Sequence, residues 1–70
     1  MNARHRKRVT QKLLDKLKSM NIADTEIAFR TNACIQSIWR WRAGSTPTPA
    51  YFDNLVAFAK EKGVEVENAN

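Results

Sequence analysis

Cysteine, histidine, glycine and proline are all scarce in this chain, and each scarcity removes a class of protein. One cysteine, Cys34, among 70 residues cannot close an internal disulfide or supply a metal cluster. A disulfide scaffold and a zinc module are therefore excluded, and a reducing, cytoplasmic setting is expected. The single histidine, His5, lies in a run of cations, and no nucleophile elsewhere has a base beside it. Two glycines leave no Gly-rich phosphate loop. No enzymatic activity, cofactor, metal or small-molecule ligand is expected. Few Gly and Pro beside 43% hydrophobic residues exclude a disordered or collagenous chain. No apolar run approaches the ~20 residues that span a bilayer. The basic residues near the start are followed by no apolar stretch of the signal-peptide kind, so no membrane partner is expected.

Acids are also scarce, but only in one part of the chain. Residues 1–43 carry ten Lys or Arg against three acids, and residues 44–70 carry two against four. With a sequence pI near 9.9, the basic part favours a polyanionic partner, because neutralising phosphates releases condensed counterions. Charge alone does not choose among DNA, RNA and anionic lipid. The length makes one domain near the lower limit of a self-supporting core, since a chain of ~60 residues buries only about 60% of its unfolded surface. Association of two chains would ease that limit.

What is present is helical periodicity. Residues 1–8 hold Arg4, His5, Arg6, Lys7 and Arg8 without an apolar stripe, and are expected to form a flexible, solvated basic arm able to follow phosphates. A first helix is expected over residues 9–20, where Val9, Leu13, Leu14, Leu17 and Met20 recur on one face, capped by Thr10 or a neighbour. Asn21 connects it to Ile22, which returns to the core. A last helix is expected over residues 49–62. Thr48 caps it, Pro49 occupies its first turn, and Phe52, Leu55, Val56 and Ala59 form its buried side with Phe58 beside them. Gly63 ends it, and Lys60 and Lys62 suit its negative end. Val64, Glu65, Val66 and Glu67 alternate as a short half-buried strand would, with a frayed tail the competing reading.

The stretch from Asp24 to Gly44 organises the rest, reading as two short helices joined by a tight turn. The first covers residues 24–31, with Asp24 and Glu26 complementing the partial positive charge of its start. As a catalytic pair these acids would need a cleft, and no His is near them in sequence. Asn32 is the expected corner residue, because Asn tolerates positive φ better than any residue but Gly. Small Ala28 allows close helix crossing, and Ile27 meets Ile38. In the second helix, Ile38 and Trp41 point inward, while Gln36, Trp39, Arg40 and Ala43 share the outer face. Gln and Arg carry the side-chain forks that match adenine and guanine in the major groove. Arg42 falls nearer the core, with Asp15 or Glu26 as expected partners.

In their order, Ile27-Ala28, Ser37-Ile38, Trp41, Gly44 and Pro49 resemble the lambda-repressor-like helix-turn-helix family of phage Cro and repressor proteins. The resemblance covers roughly residues 9–64. Asn32 stands where that family most often has Gly, and Ala23 where it usually has a capping Ser, Thr or Asn. The resemblance implies an all-α, compact four- to five-helix domain over residues 9–64, preceded by the arm and followed by an acidic tail over residues 65–70. It implies that Ile35, Gln36 and Arg40 face bases, with Ser37 and Trp39 flanking them against the DNA backbone. Ile35 either packs on a thymine methyl or is partly buried. Trp39 either lies along sugar-phosphate or packs on the loop or on a partner subunit. Backbone contacts are further implied for Thr25 at the start of the first motif helix and for Ser45, Thr46 and Thr48 in the loop, with Tyr51 as an additional candidate. Arg4, Arg6, Lys7 and Arg8 would add phosphate contacts from the arm.

The function expected is a sequence-specific regulator of transcription, closest to a Cro-like phage or prophage repressor acting as a homodimer on a palindromic double-stranded operator. An activator touching polymerase, an RNA-binding protein using its Arg-rich arm, and an antitoxin-like interaction module are the competing readings.

Overall fold

The computed structural model describes residues 2–66. They form four helices: α1 (Ala3–Ser19), α2 (Asp24–Thr31), α3 (Ile35–Arg42) and α4 (Pro49–Glu61). No strand occurs among the described residues, so the fold is all-α. Val64 and Val66 do point inward on either side of exposed Glu65, but residues 64–66 form no strand, and Glu67 with the rest of the expected tail lies outside the described residues.

All four helices stop in the same way. Asn21, Asn32, Gly44 and Gly63 take positive φ, of 63°, 64°, 119° and 84°. The residue after each donates its amide to a carbonyl five positions back: Ile22 to Leu17, Ala33 to Ala28, Ser45 to Arg40 and Val64 to Ala59. This satisfies carbonyls that the helix leaves without partners and turns the chain sharply. Three of the donors, Ile22, Ala33 and Val64, then fold back onto the core, so each stop also begins the next packing contact.

Helix starts differ more from expectation. Asn2 caps α1, its side-chain oxygen accepting from the His5 amide at 2.8 Å, so the helix begins six residues before Val9. The basic segment expected as an arm is therefore the first turns of α1. Thr10, the expected cap, is fully buried inside that helix. Thr48 occupies the N-cap of α4 with extended backbone and Pro49 behind it, but its side chain makes no capping bond.

The core gathers Val9, Leu13, Leu14 and Leu17 from α1, Ile27 and Ala28 from α2, Ile38 and Trp41 from α3, and Phe52, Leu55, Phe58 and Ala59 from α4. Met20 does not join it and is 44% exposed, because α1 ends at Ser19 and the chain turns away through Asn21. α3 and α4 each pack on both α1 and α2. Polar contacts join α4 to α2: Asn54 donates to the Thr31 carbonyl at 3.0 Å, and Arg30 pairs with Glu61 while its guanidinium sits 4.9 Å over the Phe58 ring. The Trp41 and Tyr51 rings meet at 6.0 Å between α3 and α4. No helix among the described residues is long and apolar enough to cross a membrane.

Candidate nucleic-acid interface

α3 buries its inner side and leaves its outer side open to solvent. Ile38 and Trp41 are 0% and 4% exposed, whereas Gln36, Trp39, Arg40 and Ala43 are all exposed. Successive helical residues turn by about 100°, so Gln36, Arg40 and Ala43 form one outward stripe with Trp39 at its edge. Ile35 is half-buried, and it is not among the partly buried side chains that pack against the core. Ser37 is also half-buried, and its hydroxyl lies 3.3 Å from the Cys34 sulfur at the N-cap of α3. That hydrogen bond, with the amides opening the helix, holds the exposed Cys34 thiol below its ordinary value.

The turn that delivers α3 has the geometry expected at Asn32, with φ 64° and ψ 28°. Ala28 is buried at 6% where α2 and α3 approach, and Ile27 and Ile38 are both fully buried in the shared core. Arg42 is a correction: its partner is Asp24, not Asp15 or Glu26. The guanidinium donates three bonds to Asp24, of 2.6 and 3.1 Å to one carboxylate oxygen and of 3.3 Å to the other. Asp24 is the first residue of α2, whose N-cap Ala23 supplies no side-chain capping bond, and its carboxylate reaches the last residue of α3, while Glu26 lies 3.6 Å from Lys62 at the end of α4. The negative charge next to the exposed Thr25 is thereby balanced by a cation.

The other flank of α3 is occupied by α1. Gln11 donates its side-chain amide to the carbonyl of Trp41, and a β-carbon added at Gly44 would lie 3.7 Å from the end of the Lys7 side chain. A cation at the C-terminal end of a helix is favoured by the partial negative charge there. Arg4, Lys7 and Arg8 are exposed and share one stripe of α1 with Gln11, whereas Arg6 is half-buried on the core side. Arg8 additionally meets the His5 ring nitrogen Nδ1 at 3.0 Å. In the loop after Gly44, Ser45 and Thr48 are exposed, Thr46 is half-buried, and Pro47 is buried and anchors the segment.

The residues singled out from the sequence are thus spread along α3: Ile35, Gln36 and Ser37 open it, Arg40 lies one turn later, and Asp24, next to Thr25, and Lys7 both approach its C-terminal end. Two contributors were not foreseen. Gln11 carries no charge or apolar bulk that would mark it in the sequence, and its spacing from Lys7 and Arg4 defines a shared helical face only because α1 starts at Ala3. Phe29, on the outer side of α2, is 81% exposed, more than Trp39 at 56%. Its position opposite Ile27, Ala28 and Thr31 was legible from spacing alone. No protein-family model matches the chain, and no curated protein or solved structure does so significantly.

Proposed function

We infer that this chain is a sequence-specific double-stranded DNA-binding regulator of transcription of the helix-turn-helix type, with α3 entering the major groove. The observation that supports it is the pairing of exposed Gln36 and Arg40, four residues apart on a helix whose opposite side is buried, with cations on the adjoining face of α1. Gln matches adenine and Arg matches guanine through bidentate bonds, each contributing ~1–3 kcal/mol of discrimination. Thr25, Trp39, Ser45, Thr46 and Thr48 border the helix and would position it on the strands, as would Arg4, Lys7 and Arg8. Arg6, half-buried, is the weakest of the basic candidates.

A small domain that occupies promoter DNA represses by excluding polymerase, and a Cro-type phage or prophage repressor is the form of this activity the residues resemble. One docked helix reads few bases, so a homodimer on a pseudo-palindrome with half-sites ~34–36 Å apart follows. Selection of bound sites from random duplex DNA tests the reading directly. The expected result is an enriched inverted repeat with a G·C pair whose enrichment disappears in Arg40→Ala. Recovery of no enriched sequence would reject it.

A second reading is favoured by Phe29. An aromatic ring exposed this far suits a protein-protein contact. An activator touching polymerase or an antitoxin-like module would use it. Loss of promoter activation in Phe29→Ser with DNA affinity intact would favour the activator, and a stoichiometric protein partner without DNA affinity would favour the module.

A further inference from the structure

The basic residues at the start of the chain are carried on a folded, capped helix. Asn2 caps the start of that helix, Gln11 ties its flank to the last turn of α3 through the Trp41 carbonyl, and the end of the Lys7 side chain lies close by Gly44. Helical spacing then sorts the cations. Arg4, Lys7 and Arg8 line the stripe that continues from Gln11, and Arg6 turns inward. Three positive charges therefore stand at fixed places beside the helix that carries Gln36 and Arg40.

We propose that Arg4, Lys7 and Arg8 form a prebuilt cationic ridge that grips the phosphate backbone as one rigid body with α3, and that Gln11 is the positioning residue that sets the distance between ridge and groove-reading helix. The proposal rests on the DNA reading above and deepens it, because it assigns the strand-gripping surface to a folded element. A tethered arm must lose chain entropy when it settles on a duplex, whereas a docked helix has lost it on folding. Rigid attachment also couples register: phosphates held by the ridge constrain where Gln36 and Arg40 meet the base edges.

The test measures binding by fluorescence anisotropy from about 50 to 200 mM salt, on a duplex selected from a random pool and on a scrambled duplex of equal length. Replacing Arg4, Lys7 and Arg8 together by Gln should flatten the slope of log affinity against log salt by about 0.9 per lost contact, two to three in all, on both duplexes. The preference between duplexes should survive. Inserting Gly-Ser-Gly between Arg8 and Val9 keeps every charge but detaches the ridge, and should flatten the slope nearly as far. Gln11→Met, which removes the bond to Trp41, should flatten it partly; a merely structural role would lower the melting temperature and leave the slope unchanged.

An insertion variant with the wild-type slope and affinity would show a tethered arm and overturn the proposal. So would rapid amide exchange at Lys7 and Arg8 in the free protein. If wild type shows no preference between the duplexes, the base-reading assignment fails, while the slopes on the scrambled duplex still decide the ridge.

Discussion

The contact between Arg42 and Asp24 offers the sharpest quantitative test of how α3 is held. Two unit charges ~4 Å apart attract by about 4 kcal/mol at an effective dielectric of ~20. These side chains remain 22% and 29% exposed, so they keep part of their hydration and lose side-chain freedom on pairing. The pair lies between exposed pairs, worth about 0.2–1 kcal/mol, and buried ones whose disruption costs about 3–5 kcal/mol. Its three bonds from the guanidinium, which engage both carboxylate oxygens, place it above the surface median, and a coupling of about 1–2 kcal/mol follows. A double-mutant cycle with Asp24→Asn and Arg42→Met, read by urea unfolding at constant slope, measures that coupling. Each kcal/mol corresponds to roughly 4–8 °C in melting temperature for a domain of this size. A coupling within the ~0.3–0.5 kcal/mol expected of independent sites would refute the reasoning. The functional consequence separates the two single variants. Asp24→Asn removes an acid beside the proposed phosphate contact at Thr25 and should tighten binding to random duplex despite a weaker fold, whereas Arg42→Met should not.

Other expectations concern the corner, the acid limb and the thiol. Asn32→Ala should destabilise by about 1 kcal/mol because alanine resists the left-handed conformation held there, and Asn32→Gly should cost less; equal melting temperatures for the two would contradict this. Arg30 holds the Glu61 carboxylate below its ordinary range. A depressed carboxylate stabilises the fold fully above its unfolded value and loses that contribution as pH falls through the lowered one, so Glu61→Gln should flatten the acid limb of stability against pH. An unchanged limb would remove the pair from the account. Ser37→Ala takes away the hydrogen bond that lowers the Cys34 thiol, so alkylation near neutral pH should slow. A rate equal to wild type would show that the helix amides alone set it.

Much of the candidate site was readable in the residues because it depends on local rules. The burial of Ile38 and Trp41 opposite Gln36 and Arg40 follows from helical periodicity and the avoidance of buried charge. Asn32 at the corner follows from the conformations that L-residues tolerate, and Pro49 from its fixed φ and missing amide.

Other features depended on which surfaces meet. Two carboxylates stood near the start of α2, and the packing of α2 against α3 and α4 gave Asp24 to Arg42 and Glu26 to Lys62. Met20 continued the apolar stripe of α1 in sequence, yet the left-handed stop at Asn21 carried it out of the core. The basic segment had no apolar stripe to mark it as helix. Its order comes from the Asn2 cap and from docking against the end of α3, a contact between residues thirty or more positions apart. Periodicity reports what a segment buries on its own account. It is silent about a polar helix stabilised by a carbonyl and a partial charge that only the folded neighbour supplies, and so tertiary structure alone decided that the cations stand beside α3.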